Sequence, residues 1–112
     1  MKVRKSMLDN ETIVFEIEEG DTGPAVDYLQ LKPNGYAIMG ENVECPVAVI
    51  DGRTLSEDWF TQDHLLAVEA HELGHIRMST EDEPVAELEG IRLLEAAGYT
   101  RAASLLYERG LV

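Results

Sequence analysis

The sequence predicts an α+β fold: a small antiparallel or mixed sheet of three to four strands, followed by helices. Three observations predict it. Short runs rich in β-branched residues, separated by turn residues, fill the chain as far as Asp51-Gly52. After about Thr61 the apolar spacing changes from two to three and four. Strands and helices therefore come in separate blocks, the order of an α+β domain rather than of a parallel α/β one.

"ETIVFEIEE" alternates around Ile13, Phe15 and Ile17, as a half-buried strand does. "GDTGP" breaks the chain. "VDYLQL" and "GYAIMG" flank "KPNG", where Pro33, Asn34 and Gly35 signal a turn, so the two segments read as a hairpin. "CPVAVIDG" is a further strand, stopped by Asp51-Gly52. A helix is predicted from about Thr61 to Met78, with an earlier turn at "SEDW". A second runs from about Glu81 to Ala97 and stops at Gly98. The third runs from Thr100 to Arg109 and stops at Gly110.

At 112 residues the chain is expected to form one domain, residues 1–112, and 45% hydrophobic residues suffice for a core. It has no repeat or low-complexity tract, and its longest apolar runs, such as "PVAVI", are too short to span a bilayer. The basic start is followed by no apolar segment, so a secretory signal is not expected. Cys45 is the single cysteine, which excludes an intramolecular disulfide and fits a reducing, cytoplasmic compartment. The net charge of −13 speaks against nucleic acid or an anionic membrane as partner, because phosphate would be repelled. Its ordinary consequence is a well-solvated acidic surface.

The chemistry concentrates in "AVEAHELGHIRMSTEDEPVAELEGIRLLEAAG", which holds two of the three histidines. On a helix, His71 and His75 lie about 40° apart and one turn along the axis, so both imidazoles reach one metal ion about 2 Å from each ring. Glu72 falls at about 100°, beside such an ion rather than on it. Leu65, Leu66, Leu73 and Ile76 form a separate core face. His71-Glu72-Leu73-Gly74-His75 is thus H-E-x-x-H, two zinc ligands and a glutamate that takes a proton from water at the metal.

A catalytic zinc site wants a third protein ligand and an open position. Candidates downstream are Glu81, Asp82, Glu83, Glu87, Glu89 and Glu95. On the second helix Ala86, Gly90, Ile91, Leu93, Leu94 and Ala97 form the inward face, with Glu83 and Glu87 in its middle. Glu89, Arg92 and Glu95 fall on the solvated side. Carboxylates on an apolar face are costly to bury unless something binds them. The short link "IRMSTED" predicts an αα-hairpin. Reflection about Ser79 sets Glu83 opposite His75 and Glu87 opposite His71, so either could reach the metal. Thr80 and Glu83 also have capping-box spacing, which competes for Glu83. Pro84 fixes the helix start nearby, and Gly90 lets the helices approach.

At these residues the chain resembles the zincin metallopeptidases, and within them the gluzincins, whose third ligand is a glutamate. "EPVAELEGIRLLEAAGYTRAASLL" is similar to the E-x-x-A-D segment of M48-type peptidases, and the resemblance as a whole covers roughly residues 64 to 106. The resemblance implies a zincin-like fold, zinc as the cofactor, His71, His75 and Glu83 as its ligands, Glu72 as the base, and Glu87 at the position of an aspartate that orients a ligand histidine. It implies hydrolysis of a peptide or protein substrate by a minimal, soluble member. The chain departs in having Glu69 and Arg77 around the histidines and a short gap from His75 to Glu83.

His64, on the histidine face but about 10 Å along the helix from His71, is expected to be a partly exposed polar residue near the cleft. Tyr28 and Tyr36 are expected to pack at the core or rim of the cleft, and Trp59 to pack. Cys45 is expected to be half-buried. Two rival readings remain: a zinc-binding regulatory or structural domain without turnover, and an acidic interaction protein whose motif is accidental.

Overall fold

Three of residues 47–51, VAVID, are β-branched, and all five are buried. In the computed structural model, which describes residues 1–109, the sheet is built around this strand. Its strands are β1 (Lys2–Lys5), β2 (Ile13–Ile17), β3 (Gly35–Ile38) and β4 (Val47–Asp51), in the order β1-β2-β4-β3. β2 and β4 run parallel, and the other two pairs are antiparallel, so the sheet is mixed. The helices are α1 (Pro24–Asp27), α2 (Gln62–Arg77), α3 (Glu83–Ala96) and α4 (Thr100–Arg109), with short 3-10 turns at Tyr28–Gln30 and Gly52–Ser56. The fold is thus α+β, as expected. Gly110, the expected stop of the last helix, lies outside the described residues. None of the described helices is long and apolar enough to cross a membrane.

Both faces of the sheet are covered. Val14, Ala48 and Ile50 pack on Leu65, Val68 and Leu73 of α2. Ile17, Val47 and Val49 pack on the other side against Leu29 and Tyr36, with Ile13, Phe15 and Val26 alongside. The alternation at Ile13, Phe15 and Ile17 therefore marks the face turned away from α2. Val14, wholly buried, marks the face toward it.

The expected hairpin is corrected. "VDYLQL" is not a strand but the end of α1 and a 3-10 turn. Pro24 opens the first turn, where its fixed φ costs nothing. The decisive spacing is Val26 to Leu29, three residues, which puts both side chains on the sheet. The Tyr36 hydroxyl donates to the Ala25 carbonyl at 2.8 Å and ties the segment down. The strand that the sequence pattern does not announce is β1. Its inward side chain Arg4 is charged and Val3 is exposed, so no apolar alternation marks it. The turn expected at "SEDW" is present, closed by the Phe60 N–H donating to the Glu57 carbonyl at 3.1 Å, and the 3-10 turn at Gly52–Ser56 precedes it.

α2 lies between the sheet and the α3–α4 pair. Ala67 and Ala70 on its far side meet Ile91, Leu94, Ala102, Ala103 and Leu106. Its buried surface is thus wider than the leucine face predicted, and Leu66 and Ile76 are only partly buried. Two glycines set the spacing of α2 and α3. A Cβ on Gly90 would stand 2.8 Å from the Ala70 carbonyl oxygen, and one on Gly74 would collide with the Ala86 backbone.

The charged residues around the motif have partners. Glu69, 1% exposed, accepts from Arg4 Nη2 at 2.7 Å and from Ser6 Oγ at 2.6 Å. Such pairing offsets the cost of burying its charge. Arg77 Nε donates to Glu89 at 3.0 Å. Glu89 also accepts from Arg92, so it is a paired rather than a freely solvated carboxylate.

Candidate metal centre

α2 is capped at its start by Thr61, whose N–H donates to His64 Nδ1 at 3.1 Å. Its C-cap is Met78, and Ser79 turns the chain with φ 47°. α3 then starts at Glu83, but not through the expected capping box. The N-cap is Asp82, whose carboxylate accepts from the Val85 N–H at 3.1 Å, while Thr80 Oγ1 accepts from the Asp82 N–H at 3.0 Å. The capping role competing for Glu83 is therefore taken by its neighbour, and the Glu83 side chain is left free to turn toward α2.

It turns toward the histidines. Glu83 Oε1 stands 2.6 Å from His75 Nε2, and Oε2 stands 3.5 Å from His71 Nε2. The two Nε2 atoms are 3.1 Å apart. Each ring is held from behind: His71 Nδ1 meets Glu87 Oε1 at 3.1 Å, and His75 Nδ1 meets the Thr80 carbonyl at 2.8 Å. A carboxylate and a carbonyl oxygen accept, so both Nδ1 atoms carry the hydrogen in these bonds, and a neutral ring then turns its Nε2 lone pair toward the shared point.

The three donors are grouped closely enough that they could hold a metal ion. Ligating atoms about 2.0–2.1 Å from a tetrahedral centre lie about 3.3 Å apart. The edges here are 3.1, 2.6 and 3.5 Å. His71, His75 and Glu83 are also the group among the described residues whose ligand atoms all fall within 4.8 Å of one another. Glu87 has its oxygen on the far side of the His71 ring, where it holds the imidazole rather than joining the donor atoms.

Glu72 lines the same cleft, buried to 8% exposure. Burial raises its carboxyl pKa, and the nearby histidines only partly counter this. For His71, burial pulls the pKa down, but the Glu87 hydrogen bond and the charges of Glu72, Glu87 and Glu83 outweigh it and leave it raised. Three carboxylates around two imidazoles favour a cation at their centre.

The cleft has a volume of about 320 Å³ and runs between α2 and β3. Among the described residues β3 is an edge strand, paired to β4 alone. Gly35 lets it lie close to the helix, since a Cβ there would come within 2.8 Å of Val68 Cγ1 and 3.6 Å of Glu72 Cγ. Tyr28 and Tyr36 both line the cleft, edge to face at 4.7 Å. The Tyr36 hydroxyl is taken by Ala25, whereas Tyr28 is 44% exposed.

Other expectations shift. His64 is half-buried, but it lies beside Trp59 and Phe60 in a separate cavity rather than near the cleft. Trp59 is 67% exposed and meets Phe60 and His64 edge to face. Cys45 is exposed, not half-buried. Sequence reasoning missed Lys32, which lines the cleft near Glu72, and the Thr80 carbonyl, a backbone group that no residue pattern signals.

Comparison with protein-family models, with curated proteins and with solved structures finds no match to this chain.

Proposed function

We propose that the chain is a zinc-dependent peptidase of zincin type, with His71, His75 and Glu83 holding the metal and Glu72 acting as general base. One observation carries this reading: both Nε2 atoms and the Glu83 carboxylate converge, while both Nδ1 atoms are already held. A zinc ion bound there would supply a Lewis acid that polarises a carbonyl and lowers the pKa of water.

The protein's own residues supply the rest. A raised pKa brings Glu72 toward the range in which a carboxylate accepts a proton and returns it near neutral pH. It takes a proton from the attacking water as the water oxygen bonds to the peptide carbonyl carbon. It then passes that proton to the amine nitrogen as the C–N bond breaks. Glu87 and the Thr80 carbonyl keep His71 and His75 in one tautomer and one orientation. The unpaired edge of β3 offers backbone groups to an extended peptide alongside Glu72. At a net charge of −13, a peptide or protein is a more natural substrate than a nucleic acid.

The test is cleavage of a broad quenched-fluorescence peptide library by zinc-loaded protein. Cleavage that disappears on chelation and returns with zinc supports the reading. Zinc uptake with no cleavage replaces it with a non-catalytic zinc domain.

A further inference from the structure

The cleft continues past the histidines. Met39 and Glu81 line both the metal-site cleft and an adjoining groove of about 470 Å³. That groove has half-buried Met39, Pro46 and Ile76 among its walls, with the exposed carboxylates of Glu41 and Glu81 beside them. Among the described residues, no basic side chain lines it. An apolar trough rimmed by two carboxylates suits a side chain with an aliphatic stem and a cationic head. The location fits a substrate position, since β3 runs directly into Met39 and Ile76 follows His75 in α2. A peptide laid along the open edge of β3 would carry a side chain close to its scissile bond into this groove. The whole chain, at −13, draws cationic peptides toward it.

We propose that this groove is a specificity pocket for a lysine or arginine side chain of the peptide substrate, with Met39, Pro46 and Ile76 taking the stem and Glu41 and Glu81 flanking the cation. The proposal rests on the peptidase reading of the metal centre, but its test does not need turnover. Zinc-loaded Glu72→Gln protein is titrated, by fluorescence anisotropy, against labelled alanine-rich peptides that are acetylated, amidated and alike but for a central lysine, norleucine or glutamate. A fourth peptide carries norleucine and a free N-terminus. The lysine peptide should bind about three- to tenfold tighter than the norleucine one, the gain expected of two exposed ion pairs. That margin should shrink with added salt and should fall below about twofold in a Glu41→Gln/Glu81→Gln background. Equal binding of lysine and norleucine, a margin that survives in that background, or no binding by any peptide overturns the proposal. So does a free N-terminus that reproduces the lysine gain. Zinc content and library cleavage, measured in parallel on the wild type, keep the two readings apart. Cleavage without lysine preference removes only the pocket, and lysine preference without cleavage counts against the peptidase reading alone.

Discussion

Glu83 and Glu87 sit one helical turn apart on α3, yet they meet opposite sides of the histidine pair. Glu83 reaches the Nε2 atoms, at 2.6 Å from His75, and Glu87 reaches Nδ1 of His71 at 3.1 Å. The same chemical group therefore has two roles, set by which ring nitrogen it faces. Under the proposed function, Glu83 binds metal and Glu87 positions a ligand.

The two roles separate by mutation. Glu83→Ala should lose most zinc affinity, and because the side chain is 69% exposed, the fold should survive the change. Glu87→Ala should weaken affinity or activity by about 10–100-fold and still bind zinc at saturating metal. The reverse ranking in zinc titrations would make Glu87 the ligand. Equal, slight effects would leave a site of two histidines.

Glu72→Gln keeps size and shape and removes basicity. Zinc content should stay at the wild-type level while cleavage falls by about 10²-fold or more. Loss of zinc as complete as in His71→Ala would make Glu72 a ligand and not a base.

Gly90→Val probes the contact that brings α3 against α2. Its side chain would drive into the Ala70 carbonyl, so chemical denaturation should show a loss of about 1–3 kcal/mol. Leu88→Ala, at an exposed site on the same helix, should stay within about 0.5 kcal/mol. Similar midpoints for the two variants would mean that the close approach carries no energetic weight.

Asp9 gives a pH test away from the metal centre. Burial pushes its carboxyl pKa up, but the Thr12 hydroxyl, the Thr12 and Glu11 amides and the Arg77 charge outweigh this and leave it lowered. A folded-state pKa below the unfolded value adds stability that is present above about pH 4 and is lost as pH falls through the folded value. Wild type should therefore lose more stability between about pH 5 and 3 than Asp9→Asn. Parallel pH curves for the two proteins would mean that Asp9 contributes nothing to the acid sensitivity of the fold.

Much of this was legible in the sequence because helix periodicity is a local signal. The i, i+4 histidines, the hairpin turn about Ser79 and the inward Glu87 follow from spacing alone, whereas Glu83, expected in the middle of the inward face, is exposed at the helix start and reaches the histidines from the rim. β1 was not legible, since Arg4 points inward to a carboxylate 65 residues away. α1 was hidden because "VDYLQL" satisfies both the strand period and the three-residue step of Val26 and Leu29. The capping box at Thr80 and Glu83 was a true pattern outcompeted by Asp82, two residues further along. Gly35, which lets β3 approach Glu72, reads in sequence only as a turn residue.

The central claim is that His71, His75 and Glu83 form a zinc site, and a zinc titration of metal-free wild-type protein against a chromophoric chelator at neutral pH tests it most directly. The predicted result is uptake of about one zinc per chain, sharply weakened in His75→Ala. No uptake by the wild type would contradict the claim and leave an acidic protein whose H-E-x-x-H is accidental.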